Sequence, residues 1–169
     1  MSNRFLMIAA VAGVLVAGCT PKREALPPEP IGTPGGGGGS AGPVDTGPEP
    51  GSQADFIRSV MADRVYFDTD KFDIDQEDMT TLQSQAAWLR QYPATRVTIE
   101  GHCDERGTRD YNLALGERRA NGAKNALISL GVAADRISTI SYGKERPDAM
   151  GSDEASWARN RRAVSVTIR

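Results

Sequence analysis

Residues 100–112, EGHCDERGTRDYN, place the chain's single histidine, His102, beside Cys103, one of two cysteines, with Asp104, Glu105 and Arg106 directly after. Three chemistries are conceivable for such a cluster: nucleophilic catalysis, metal binding and recognition of a charged ligand. Catalysis by Cys103 needs a base within hydrogen-bond reach. Adjacent residues at the end of a strand point to opposite faces, and there is no second histidine. No GxSxG, HExxH or P-loop pattern is present. A carboxylate pair acting on a glycan stays open as an enzymatic alternative. A tight zinc site needs three or four ligands, which one His and one Cys back to back do not supply. The acidic run DTDKFDIDQED at 68–78 lacks the glycine and glutamate positions of a calcium-binding loop and reads as a solvated loop that starts a helix.

Recognition remains. Asn112 and Arg119 are seven residues apart, so they share one helix face across two turns. Arg119 offers a planar fork for a carboxylate, and Asp104 attracts a cation. Together they suit a small zwitterion. A surface ion pair between the two, of little energy, is the competing reading from spacing alone.

The elements that position these residues are visible as pattern. FIRSVMADR is a short helical stretch and VYF at 65–67 a short strand. Met79, Leu82, Ala86 and Leu89 predict an amphipathic helix over 76–92, stopped by Pro93. RVTIEGH alternates as a strand, with Val97 and Ile99 on one face. Thr108 is a suitable N-cap for a helix that buries Leu113, Gly116, Ala120, Ala123, Leu127 and Leu130 and closes at Gly131. RISTISY, DEASWARN and AVSVTIR predict a strand, a short helix and a final strand with Val164, Val166 and Ile168 on one face. The expected fold is α+β: a β-α-β-α-β-(α)-β two-layer sandwich, one mixed sheet with helices packed on one face. Trp88 and Trp157 read as core or helix-packing residues.

Everything before this domain has another character. The apolar run from Phe5 to Ala17 is shorter than the roughly 20 residues of a membrane span and fits a signal peptide. It ends in LVAGC, so residues 1–18 read as a lipoprotein signal and Cys19 as the lipidated first mature residue. Cys103 then has no partner within the chain in an oxidising periplasm, and a buried or hindered thiol is expected. Residues 20–53 hold 8 Pro and 9 Gly, a disordered tether spanning roughly 30 Å as a coil and roughly 110 Å extended. The folded domain is expected over 54–169. A net charge of −2, with 17 Lys/Arg against 18 Asp/Glu over residues 55–169, argues against nucleic acid as the main partner.

VYFDTDKFDI, EGHCDERGTRDYNLALGERRAN, ISYGKERP and NRRAV, in this order over roughly residues 60–169, resemble the OmpA-like domain family, and within it the lipidated members that bind the cell wall. The resemblance implies a non-enzymatic, cofactor-free, monomeric domain. It would grip the meso-diaminopimelate of the peptidoglycan stem peptide and tie the outer membrane to the wall from the periplasmic side. Carried over by motif, Asp104 binds the diaminopimelate amine and Arg119 its carboxylate. Asn112 is the family's helix asparagine, Asp68 lies on the rim, and Arg161 is the first arginine of NRR. Thr108 and Asn160 are further candidates. Thr20 fits outer-membrane sorting. The resemblance also implies membership of the Tol system and binding to the periplasmic protein TolB, which as main ligand is the alternative to wall binding.

Overall fold

The computed structural model describes residues 47–168, which belong to one compact unit. The signal segment, Cys19 and most of the tether lie outside the described residues. Nine elements follow one another: α1 Gln53–Ser59, β1 Arg64–Tyr66, α2 Gln76–Gln91, β2 Arg96–His102, α3 Arg109–Ser129, a 3₁₀ turn Ala134–Arg136, β3 Ile137–Gly143, α4 Glu154–Asn160 and β4 Arg162–Ile168. The strands form one mixed sheet in the order β1-β4-β2-β3. β4 is antiparallel to both β1 and β2, and β2 is parallel to β3. The α+β class with a mixed sheet is the one expected.

Helices cover a single face of the sheet. Val97 and Ile99 of β2, Val65 of β1, Ile137 of β3 and Ala163 of β4 point into it and meet Leu82, Ala86 and Leu89 of α2 and Ala120, Ala123 and Leu127 of α3. Fully burying one such aliphatic side chain stabilises by about 1.5–3 kcal/mol. Phe56 of α1 and Trp88 of α2 close the end of this core edge to face, with centroids 5.0 Å apart.

The helix boundaries have local causes. Ser52, Asp75, Thr108 and Asp153 each accept a backbone N–H of their own helix's first turn. At the end of α3, Gly131 has φ +92. Its N–H donates to the Ile128 carbonyl and that of Val132 to the Leu127 carbonyl, a Schellman closure that only a residue tolerant of positive φ makes without strain.

Three details differ from the pattern reading. The buried stripe of α3 carries Leu115 and Ala126, while Leu113 and Leu130 are only half-buried, because Asn112 and Arg119 take part of the inward face. Val164, Val166 and Ile168 do share a face, but it is the one away from the helices: Val164 is opposite Glu100 and Ile168 opposite Arg96. The helix side of β4 is instead Ala163, Ser165 and Thr167, and Ser165 donates to the Gln85 side chain at 2.7 Å. Regular structure also begins before the composition changes. Ser52 caps α1, and the Gln53 side chain accepts from Thr167 N at 2.6 Å and donates to the Ser165 carbonyl at 3.3 Å.

Candidate functional site

α3 lies directly on β2 because two glycines meet there. A Cβ on Gly101 would overlap the Gly116 carbonyl, and one on Gly116 would stand 2.9 Å from the Gly101 carbonyl oxygen. One turn further along α3, this close approach drops Arg119 behind the C-terminal end of β2, where the chain passes through His102, Cys103 and Asp104. Arg119 is 1% exposed. Its Nε donates to the Lys71 carbonyl at 2.8 Å and Nη1 to the His102 carbonyl at 2.9 Å. Nη1 also reaches Cys103 Sγ at 3.4 Å, and Nη2 donates to the Asp68 carbonyl at 3.1 Å. The guanidinium therefore clamps the 68–71 segment, which follows β1, to the end of β2. All its oxygen acceptors are neutral carbonyls. No carboxylate of the described residues forms an ion pair with it. Burial pushes its pKa down from the ordinary arginine value, yet an arginine remains a cation at any working pH. A buried positive charge without a negative partner is costly.

Arg119 lines a cleft of about 310 Å³ together with Asp104, Asn112, Arg106, Asp70 and Tyr111. Asp104 is 7% exposed. Arg106 grips it with Nη2 on Oδ2 at 2.7 Å and Nε on Oδ1 at 3.1 Å, and Arg161 Nη1 stands 3.5 Å from Oδ2. Burial pushes the Asp104 carboxyl up, but the Arg106 bonds and the Arg161 contact outweigh it, and its pKa ends below the ordinary carboxylate value. Asp104 and Arg119 are thus not a surface pair. One cleft holds a buried anion and a buried cation that do not satisfy each other.

The other candidates separate by location. Asn112, 2% exposed, donates to the Arg106 carbonyl at 2.7 Å and fixes the 104–107 loop while lining the cleft. Asp68 offers its carbonyl to Arg119 but lines a second cleft, of about 600 Å³, together with Arg161. Arg161 reaches the first cleft only through Asp104. Its Nε donates to the Phe67 carbonyl at 2.8 Å and its Nη2 pairs with Glu154 at 2.8 Å. Thr108 is exposed, caps α3 and does not line the cleft. Asn160 is buried, and its amide bonds Asp148 N, Ala149 N and the Ala149 carbonyl, holding the loop before α4.

Sequence reasoning did not single out Thr69, Asp70, Arg106 or Tyr111 as cleft residues. Asp70 is the one non-glycine with positive φ among the described residues, at +57, and accepts the Tyr111 hydroxyl at 3.1 Å. An aspartate tolerates that left-handed geometry, but nothing in TDK announces it. Trp157 also does more than pack. Its ring carries the Arg106 guanidinium 4.2 Å above its centroid, and its indole N–H donates to Glu105 at 3.0 Å.

His102 and Cys103 point apart, as strand geometry demands. The thiol donates to the Asn112 carbonyl at 3.3 Å, and burial pushes its pKa up to about 11, so it stays protonated and a poor nucleophile. His102 is 2% exposed on the other face. Its ring lies 5.6 Å from that of Tyr142, and Nε2 is 3.7 Å from Glu100. Burial first, and then nearby Arg162, push its pKa down to about 4. In the acidic run, Asp75 caps α2 while Asp78 turns inward and accepts Tyr66 N at 3.2 Å. Among the described residues, no group of three or more His, Cys, Asp or Glu side chains is arranged to hold a metal ion.

Comparison with known proteins gives a consistent result. Residues 66–161 match the OmpA family. The chain is 47% identical over 161 residues to the peptidoglycan-associated lipoprotein of Mesorhizobium japonicum, covering 95% of this chain and 90% of that protein. It is 49% identical to the protein of the same name from Rhizobium meliloti, covering 95% and 86%. Its fold is similar to the crystal structure of the peptidoglycan-associated lipoprotein from Burkholderia pseudomallei, with TM-score 0.63 and 42% identity over 68% of this chain and 100% of that one. The C-terminal domain of Helicobacter pylori MotB shares the fold, with TM-score 0.59 and 22% identity over 63% of this chain and 84% of that one.

Proposed function

The chain belongs to the OmpA family and groups there with the peptidoglycan-associated lipoproteins, and on that premise we propose that its cleft binds the meso-diaminopimelate of the peptidoglycan stem peptide without covalent chemistry. The observation that carries this reading is the buried Arg119 guanidinium, which meets no carboxylate within the described residues and lines the same cleft as the buried Asp104. A zwitterionic centre supplies the carboxylate that Arg119 lacks and an ammonium that Asp104 can take in place of Arg106. Asn112 holds the loop that presents Asp104. Arg161 tunes Asp104 from behind, and Asp68 marks the rim through which the rest of the stem peptide leaves. Thr108 and Asn160 support the frame rather than the ligand.

In this reading Cys19 is acylated in the outer membrane, the segment between it and the folded domain spans the gap, and the domain faces the periplasm as a link between membrane and wall. Many such links, each reversible, act together to hold the envelope. The same protein takes part in the Tol–Pal system through TolB and helps draw the outer membrane inward at division. Co-sedimentation tests the core of it. The full chain in mild detergent should pellet with isolated diaminopimelate-type sacculi. Arg119→Ala and Asp104→Ala, checked as folded by circular dichroism, should remain in solution. Wild type that stays in solution removes wall binding and turns attention to TolB as main ligand. Soluble muropeptides released over time would instead mark a wall-cleaving enzyme.

A further inference from the structure

The Asp104 carboxylate is already occupied in the free protein. Arg106 places Nε and Nη2 on its two oxygens at 3.1 and 2.7 Å, the side-on geometry of a bidentate pair. The guanidinium rests on the Trp157 ring at 4.2 Å and touches Thr69 Oγ1 at 3.3 Å. Its side chain is 40% exposed, against 9% for Asp104. The backbone beneath it is fixed by other means. Arg106 N donates to Asp104 at 3.1 Å, Asn112 holds the Arg106 carbonyl, and Lys144 Nζ bonds the Glu105 and Gly107 carbonyls at 3.0 and 2.7 Å. The side chain alone is therefore free to leave, outward across the tryptophan, while the loop stays in place.

We propose that Arg106 is an internal competitor for Asp104 that makes the cleft selective for zwitterions, an inference that rests on the reading of this cleft as a diaminopimelate site. Arg106 stands where the ligand's ammonium must go. A simple amine offers Asp104 one point of contact and meets a bidentate partner tethered two residues away. A zwitterionic centre adds a carboxylate for Arg119, an interaction Arg106 has no means to reproduce, and so displaces it. The observed affinity is the intrinsic affinity reduced by the fraction of molecules in which Asp104 is open.

Nuclear magnetic resonance titration of the full chain in mild detergent tests this, with free meso-diaminopimelate and with cadaverine, the same diamine without its two carboxylates. Arg106→Ala should bind meso-diaminopimelate about five- to tenfold tighter than wild type. It should also gain binding to cadaverine, so that the preference for the zwitterion narrows. Arg106→Lys, a single-point cation, should fall between the two. Binding by wild type with equal or weaker binding by Arg106→Ala overturns the competitor and makes Arg106 a ligand contact. Absence of meso-diaminopimelate binding in every form, folded by circular dichroism, overturns the reading of the cleft and the competitor with it.

Discussion

Replacing Arg119 with methionine separates its structural role from its binding role. The substitution keeps the length and apolar stem of the side chain beside Leu115 and Phe67 but removes every donor. The carbonyls of Lys71, His102 and Asp68 then lose a charged partner, and each such bond contributes about 1.5–3 kcal/mol net. Against this, a buried cation with no carboxylate partner among the described residues disappears, which relieves a desolvation cost of several kcal/mol. The difference is a destabilisation of about 2–4 kcal/mol, because only part of the carbonyl loss is offset. In urea, with a slope of about 1–2 kcal/mol/M, the unfolding midpoint should fall by roughly 2 M. Arg119→Lys, which reaches one carbonyl instead of three, should fall between. A methionine variant whose midpoint stays within roughly 0.3 M of wild type would refute the clamp. The 68–71 segment would then be held by something else, and Arg119 would be kept for the ligand alone.

Gly116→Val forces a side chain into the Gly101 backbone and should destabilise by about 3 kcal/mol or more, read as a fall in thermal midpoint with sacculus binding lost in parallel. Thr108→Ala removes the α3 cap and should cost about 1 kcal/mol in urea unfolding, while co-sedimentation at 25 °C stays as in wild type because Thr108 does not line the cleft. His102 gives a pH signature: its folded pKa of about 4 lies below its ordinary 6.5, so the unfolded chain takes up a proton first as pH falls. Its contribution is intact above pH 6.5 and declines towards pH 4, by about 1–2 kcal/mol at pH 5. Asp78 acts in the opposite sense, since burial raises its folded pKa to about 6; its carboxyl favours the folded state below its ordinary pKa and that benefit is lost as pH rises through 6. His102→Asn should therefore lose less stability than wild type between pH 7 and pH 5, measured by urea titration at each pH, and an unchanged pH dependence would show that the imidazole titrates normally.

Much of the architecture is legible because it depends on near neighbours in the chain. The RVTIEGH alternation, the Thr108 cap and the Gly131 stop are local events, and β2 and α3 form where those signals fall. Periodicity misjudged the faces wherever polar residues turn inward. On α3, Asn112 and Arg119 displace Leu113 and Leu130 from the stripe. On β4, Val164, Val166 and Ile168 look like a core edge, yet pairing with β2 turns them to the open face. Hydrophobicity reports that a face exists and not which layer it meets, since a one-residue change of register reverses every side chain. The cleft divides in the same way. Asp104, Asn112 and Arg119, legible from motif and spacing, share one cavity. Asp70 and Thr69 come from a loop more than thirty positions earlier in the chain, brought in by the Arg119 clamp.

By itself the sequence determined the order of elements and the residue types available for charge recognition. Only the tertiary structure decided what those charges do. It buries Arg119 against neutral carbonyls with no carboxylate partner among the described residues, and it fastens Arg106 onto Asp104 instead. The physical reason is that an ion's partner is set by distance and dielectric in space, and both depend on how tightly two glycines, Gly101 and Gly116, let a helix settle on a strand.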